Sequence, residues 1–189
     1  VTSIVSGAFE EDTQIDISKT KLQQLEDGTY VVAYDVYLTG TFDYEKAYEV
    51  LDIVNQERTK VGLSAVQMDK ELLDAAMERA KETALYFDHT RPVGLDCFSI
   101  CDKMSAENIT AGLSTAKGAM EAWMDSPGHK ANILTASRKS IGVGCYYSNG
   151  IHYWVQCFSS EEPQTVSKPA NKTEKQKIKT TESVIDLIQ

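Results

Sequence analysis

Two histidines in this chain sit where an imidazole could be put to use. His129 stands in Ser126-Pro-Gly-His129-Lys-Ala-Asn-Ile-Leu134, with Trp123 just before it and Ile141-Gly-Val-Gly144 just after. Ser126 can cap a short helix, and Pro127 fits its first position, where a missing N–H costs nothing. His129 then lies in the first turn, near the positive helix end, where a neutral imidazole is favoured over a charged one. A neutral ring held at a fixed angle suits a metal or a polar ligand. One histidine in a capped turn serves structure just as readily, so the weight comes from upstream residues. Forty residues earlier lies Phe87-Asp-His89-Thr-Arg-Pro92, and between the two sits Ala106-Glu107-Asn108-Ile109.

The order His, Glu-Asn, Trp, Ser-Pro-Gly-His-Lys-Ala-Asn-Ile-Leu, Gly-Val-Gly, Tyr-Trp-Val-Gln resembles the CAP superfamily. These are the cysteine-rich secretory proteins, antigen 5 and plant pathogenesis-related proteins, and the chain is most similar to their compact secreted bacterial branch. The resemblance runs from about Tyr44 to Ser159. It implies a cleft lined by two histidines and two glutamates, with His89 as first histidine, Glu107 as first glutamate and His129 as second histidine. The second glutamate would fall three residues after Trp123, at Ser126. Asp125 is one residue earlier and points about 100° away around an ideal helix. The expected cleft therefore holds His89, Glu107, His129, Asp125 and Arg91. Its expected metal set is His89, His129 and Glu107, with zinc as the cofactor, because a catalytic zinc needs three protein ligands and an open position for water. Glu107 would act as ligand or general base. The same residues could instead form a hydrogen-bonded network tying two helices to the sheet.

Other residues offer less. Ser126, followed by Pro127, has the look of a cap and not of a nucleophile. Cys97, Cys101, Cys145 and Cys157 lack zinc-ribbon spacing and any recognisable low-pKa setting. A hairpin turning at Asn149-Gly150 would set Cys145 opposite Trp154 and Cys157 opposite Gly142. The two sulfurs then lie on opposite faces and should not bond each other. A disulfide would sooner involve the Cys97–Cys101 loop, and buried free thiols are the alternative. Tyr146, Tyr147, Tyr153 and Trp154 could line a groove, although alternating strand residues more often fill a core. His152 reads as a hairpin surface residue and Trp123 as core. Arg91 could orient a carboxylate ligand or pair with Asp88.

The elements that must position these residues are legible in the pattern. Thr29 to Leu38 reads as a strand, with Lys21 to Leu25 as a partner across Asp27-Gly28. Apolar spacing predicts helices over Glu45–Lys60, Asp69–Phe87 and Ser114–Met124, the last with Ser114 as cap candidate. The many alanines of the second suggest close packing on a neighbour. Strands are expected at Ile141–Tyr147 and Ile151–Phe158. Helices first and a hairpin last indicate an α+β chain, and the resemblance implies an α-β-α sandwich, a small and mostly antiparallel sheet covered by helices on both faces. The expected division is a β appendage over 1–43, the CAP domain over 44–160 and a flexible tail over 161–189. Glu161 to Thr181 reads as a solvated linker, and Ser183 to Ile188 regains apolar residues that could dock.

Composition narrows the function. The net charge is −9 over 189 residues, and the tail from Glu161 carries five acids and five bases, so the body holds all of it. Such a body should repel nucleic acid and anionic membrane surfaces. No apolar run is long enough to cross a bilayer. Val1-Thr-Ser-Ile-Val shows no signal peptide, and the resemblance implies that one has been removed and that the protein is secreted or at the cell surface. The expectation is an extracellular binding module with a lipid, peptide or cell-wall fragment in its cleft, and with a cell-surface or cell-wall partner. A zinc-assisted, protease-like hydrolase is the first alternative, and a structural or adhesion spacer the second. Loss of the second glutamate removes an acid–base partner and favours the binder.

Overall fold

A computed structural model describes residues 13–184. Its centre is a hairpin of β5 (Ser140–Ser148) and β6 (Ile151–Ser159) turning at Asn149 and Gly150. Both turn residues have positive φ, 51° and 77°, which is what a two-residue turn between twisted strands demands. The register places Cys145 opposite Trp154 and Cys157 opposite Gly142, so the two sulfurs do lie on opposite faces. β4 (Ala106–Ala111) pairs with β6 and forms the outer edge. On the other side of β5 come the two-residue β3 (Gln67–Met68), which is parallel to it, and the end of β2 (Tyr30–Phe42).

Helices cover both faces, giving the α-β-α sandwich. On one face α1 (Tyr44–Lys60), α3 (Ala116–Met124) and the short α4 (Pro127–Ile133) pack over the sheet. Val50, Val54, Met120, Trp123, Ile133, Val143, Trp154 and Phe158 are buried together there. α2 (Lys70–Leu85) covers the other face. Its Leu72, Ala76, Ala80 and Ala84 meet Tyr146, Val155 and Cys157, and also Val36, Leu38 and Ile178. The alanines are small for the reason the sequence suggested, and two strand glycines complete the fit. A Cβ on Gly142 would come within 1.9 Å of the Leu72 carbonyl oxygen, and one on Gly144 within 2.1 Å of that of Ala76. The Gly-Val-Gly segment therefore lets helix backbone lie directly against strand backbone.

Details of capping depart from expectation. Asp43 and Asp69 cap α1 and α2, accepting from Lys46 N and Leu72 N. Thr115, not Ser114, caps α3, accepting from Gly118 N at 3.0 Å. Ser126 occupies the cap position of α4, but its side chain makes no capping bond, so Pro127 at the first position starts that helix.

The larger departure is the tail. The linker expected through Thr181 ends at Asn171, and β7 (Lys172–Ser183) pairs with β2 along its length, from Phe42↔Lys172 to Val31↔Ser183. The reason is period-two alternation written in polar residues. Lys175, Lys177 and Lys179 face solvent, while Ile178, Thr180 and Glu182 are buried. Thr180 bonds the Pro92 carbonyl at 3.1 Å, and Glu182 accepts from Tyr34 OH. A strand whose inward side chains are mostly hydrogen-bonded gives no apolar signal. β1 (Gln14–Gln24) pairs with the opposite edge of β2, as the Asp27-Gly28 turn foretold, and Gly28 has φ 85°. The expected docking of 183–188 falls mostly outside the described residues. Among those described, no helix is long and apolar enough to cross a membrane.

Candidate functional site at the β4 edge

β4 is the edge strand, and its alternation sends neighbouring residues to opposite faces. Glu107 pairs with Cys157 and so points to the α2 side, while Asn108 pairs with Gln156 and points to the α4 side. Each side chain fastens one wall of the site.

On the α2 side, Arg79 is fully buried and forks onto Glu107, Nε donating to Oε2 at 2.8 Å and Nη2 to Oε1 at 3.0 Å. Its remaining donors reach Glu82 Oε1 at 3.1 Å and the Asp88 carbonyl at 2.7 Å. Arg91 closes the other end, bonding Glu82 Oε1 and Oε2 each at 3.0 Å through Nε and Nη2. Two arginines and two glutamates thus alternate in a neutral row, which is how buried charge is tolerated. Burial works against the charge on Arg79, yet the two carboxylates outweigh it and hold its pKa above the ordinary value.

The last link is His89. Its Nδ1 lies 2.9 Å from Glu107 Oε1, and its side chain is 56 % exposed. A carboxylate only accepts, so the proton of the neutral ring belongs on Nδ1, which is the tautomer that leaves the Nε2 lone pair free. This is the arrangement by which a carboxylate orients a ligating or hydrogen-bonding histidine.

On the α4 side, Asn108 Nδ2 donates to the His129 carbonyl at 3.1 Å and to Gln156 Oε1 at 3.0 Å, while Asn132 Nδ2 donates to Asn108 Oδ1 at 2.8 Å. That network pins α4 to the strand and holds the half-buried His129. Burial, and then the nearby His89, push the His129 pKa below its ordinary value, so it is neutral at neutral pH.

Cys97, at the head of a short 3-10 turn (Cys97–Ile100), completes a tight group. The ligand atoms of His89, Cys97 and Glu107 lie within 4.8 Å of one another. Burial, and then Glu107, push the Cys97 thiol up to about 11, so it is a protonated thiol and no nucleophile. Nitrogen, sulfur and oxygen donors suit zinc, so this group fits such an ion chemically. His129 is not one of its members.

The residues read from sequence are placed as follows. His89 and Glu107 touch, and His129 stands near His89. Asp125 is exposed at the C-terminal cap of α3 and makes no ion pair among the described residues. Arg91 pairs with Glu82, not Asp88. Tyr146 and Trp154 are buried in different cores, so the four aromatics form no single groove. Trp123 is core, and His152 lies between Tyr147 and Trp154, tilted to the first ring at 4.5 Å and stacked on the second at 6.1 Å. All four cysteines are free. The sequence reading missed Arg79, Glu82 and Cys97, for a buried arginine looks in sequence like any helix-surface cation. The signal available was the spacing of Arg79 and Glu82, which stacks them one turn apart.

Residues 51–158 match the family model described as the cysteine-rich secretory protein family, CAP. The chain belongs to this CAP family. It is 37 % identical over 123 residues to the Bacillus subtilis (strain 168) protein YkwD, covering 61 % of this chain and 46 % of that protein. It is 29 % identical over 122 residues to the membrane protein YlbC of the same strain, covering 56 % and 34 %. The chain thus spans less than half the length of these curated relatives. Among solved structures, an outer surface protein of Borrelia burgdorferi has a fold similar to this one, with a TM-score of 0.56 at 18 % identity, covering 67 % of this chain and all of that one. An extracellular SCP-domain protein of Bacillus anthracis gives 0.55 at 19 %, covering 79 % and 64 %. At such identities these likenesses concern the CAP fold alone.

Proposed function

We propose that this CAP protein is a secreted, extracellular binding module whose ligand is held at the β4 edge between His89 and His129. The observation that carries this reading is how Glu107 is held, with three of its roughly four acceptor positions already taken. Arg79 takes both of its oxygens, and His89 takes a second position on Oε1. A general base works best as an accessible, unpaired carboxylate, whereas this one is buried, paired with Arg79 on both oxygens and placed to orient His89. The ligand would be a lipid, a peptide or a cell-wall fragment that offers donors to His89 Nε2 and His129. Export is supported by the surface and extracellular descriptions of the two structural relatives.

A metal-dependent form of the same reading is supported by the close His89–Cys97–Glu107 group. Zinc held there, or between His89 and His129, would supply a Lewis acid that grips an oxygen or nitrogen of the ligand. Arg79 would keep Glu107 in position whichever set binds. Calorimetric zinc titration near neutral pH tests this against His89→Ala/His129→Ala and Cys97→Ser variants. One-to-one binding lost in the double variant supports a metal at the cleft, and loss in Cys97→Ser selects the thiol-containing set. No binding by the wild type removes the metal from the proposal. A hydrolase would show turnover that Glu107→Gln abolishes without loss of metal.

A further inference from the structure

Away from the CAP cleft, the β1, β2 and β7 part of the sheet carries a cavity of about 550 Å³ on its outer face. Its floor includes Ala33, whose methyl leaves the space open, and its sides are Lys21 from β1 and Lys177 and Lys179 from β7. Val93 and Leu95 wall it, with Leu25 at the rim. The register of β1 on β2 shifts beside it, Asp16 and Lys21 matching Asp35 and Ala33. The 91–95 loop is fixed to β7, Thr181 N donating to the Pro92 carbonyl at 2.9 Å, so the wall is built and not incidental.

The electrostatics of this groove are opposite to those of the molecule. The protein carries −9, yet three lysines converge here, and among the described residues none makes an ion pair or a side-chain hydrogen bond, whereas Lys175 of the same strand is engaged by Gln14 and the Tyr37 ring. Leu25 and Leu95 are 45 % and 55 % exposed beside them. Exposed cations interleaved with exposed apolar side chains suit a partner bearing both acids and apolar groups.

We propose that this groove is a second binding site, for an extended acidic peptide with apolar side chains between its acids. Lys177 and Lys179 project from one face about 6.8 Å apart, the spacing of alternate residues in any extended strand. A peptide with acids at alternate positions matches that period, and the side chains between them turn to the opposite, β1 side of the groove, where Leu25 lies. A phosphate polymer would leave those apolar groups unused, and its continuous charge would oppose Asp35, which lies in the same cavity. The inference is independent of the cleft, because no cleft residue lines the groove.

Fluorescence anisotropy with a labelled decapeptide alternating glutamate and leucine tests it on the full chain. Binding should weaken about tenfold or more in Lys177→Glu/Lys179→Glu and in Lys21→Glu, and should fall with added salt. It should weaken for a glutamate–serine decapeptide and persist in His89→Ala/His129→Ala. The milder Lys177→Gln/Lys179→Gln variant, with an unchanged melting temperature, guards against misfolding. Absent binding, binding indifferent to the lysines, binding lost with the histidines, or inorganic polyphosphate binding as tightly as the peptide would each overturn the proposal.

Discussion

At the scale of single residues, the site is governed by one buried arginine. Arg79 neutralises Glu107, and Glu107 fixes His89. Glu107→Gln should therefore act mainly on stability, since it leaves a fully buried guanidinium short of its partner. A loss of about 3 kcal/mol is expected, read by denaturant unfolding. His129 adds a pH dependence whose sign follows from its lowered pKa. The unfolded state takes up a proton near 6.5 and the folded state only below that, so stability is full above about 6.5 and falls as pH drops towards the folded value. His152, also lowered by burial, acts in the same direction. Melting curves at pH 7.5 and 5.5 should show a smaller difference in His129→Gln than in the wild type. The histidines and Glu107 were legible in sequence because their neighbours form motifs, but Arg79 and Cys97 were not. Their partners lie 28 and 10 residues away along the chain, and only folding brings them together.

At the scale of elements, the closest fit is α2 on β5. Gly144→Ala would drive a methyl into the Ala76 carbonyl, where neither backbone can yield. A cost of about 1–3 kcal/mol is expected from such overpacking. The helices and the central hairpin were readable because their apolar periods are strong, and the hairpin register followed from one turn. β7 was hidden because Ile178 is its one buried apolar residue among inward Gln, Thr and Glu. Hydrogen exchange checks the strand directly. Amides of 172–183 that bond β2 should be protected, whereas those of the intervening 161–171 segment should mostly exchange fast. Uniformly fast exchange through 183 would restore the solvated tail.

For the whole molecule, the appended strands and the CAP domain share one core, since Val36, Leu38 and Ile178 pack with Leu72, Ala76 and Val155. Removing 172–189 should therefore lower the melting temperature of the entire protein, not release a tail silently. The loop from His89 to Leu95 joins the two regions, facing Glu107 at one end and walling the groove at the other. The α-β-α sandwich was recognisable from ordered motifs, whereas its merger with the appendage depends on contacts between residues more than a hundred positions apart.

Glu107, held by Arg79, fixes His89 through Nδ1 and leaves Nε2 unpaired. Long-range proton–nitrogen NMR of the histidine rings at neutral pH reads this directly. The tautomer expected for the His89 ring has its proton on Nδ1 and a bare Nε2. A proton on Nε2, with Nδ1 bare, would contradict it and return Glu107 to the role of a free acid or base.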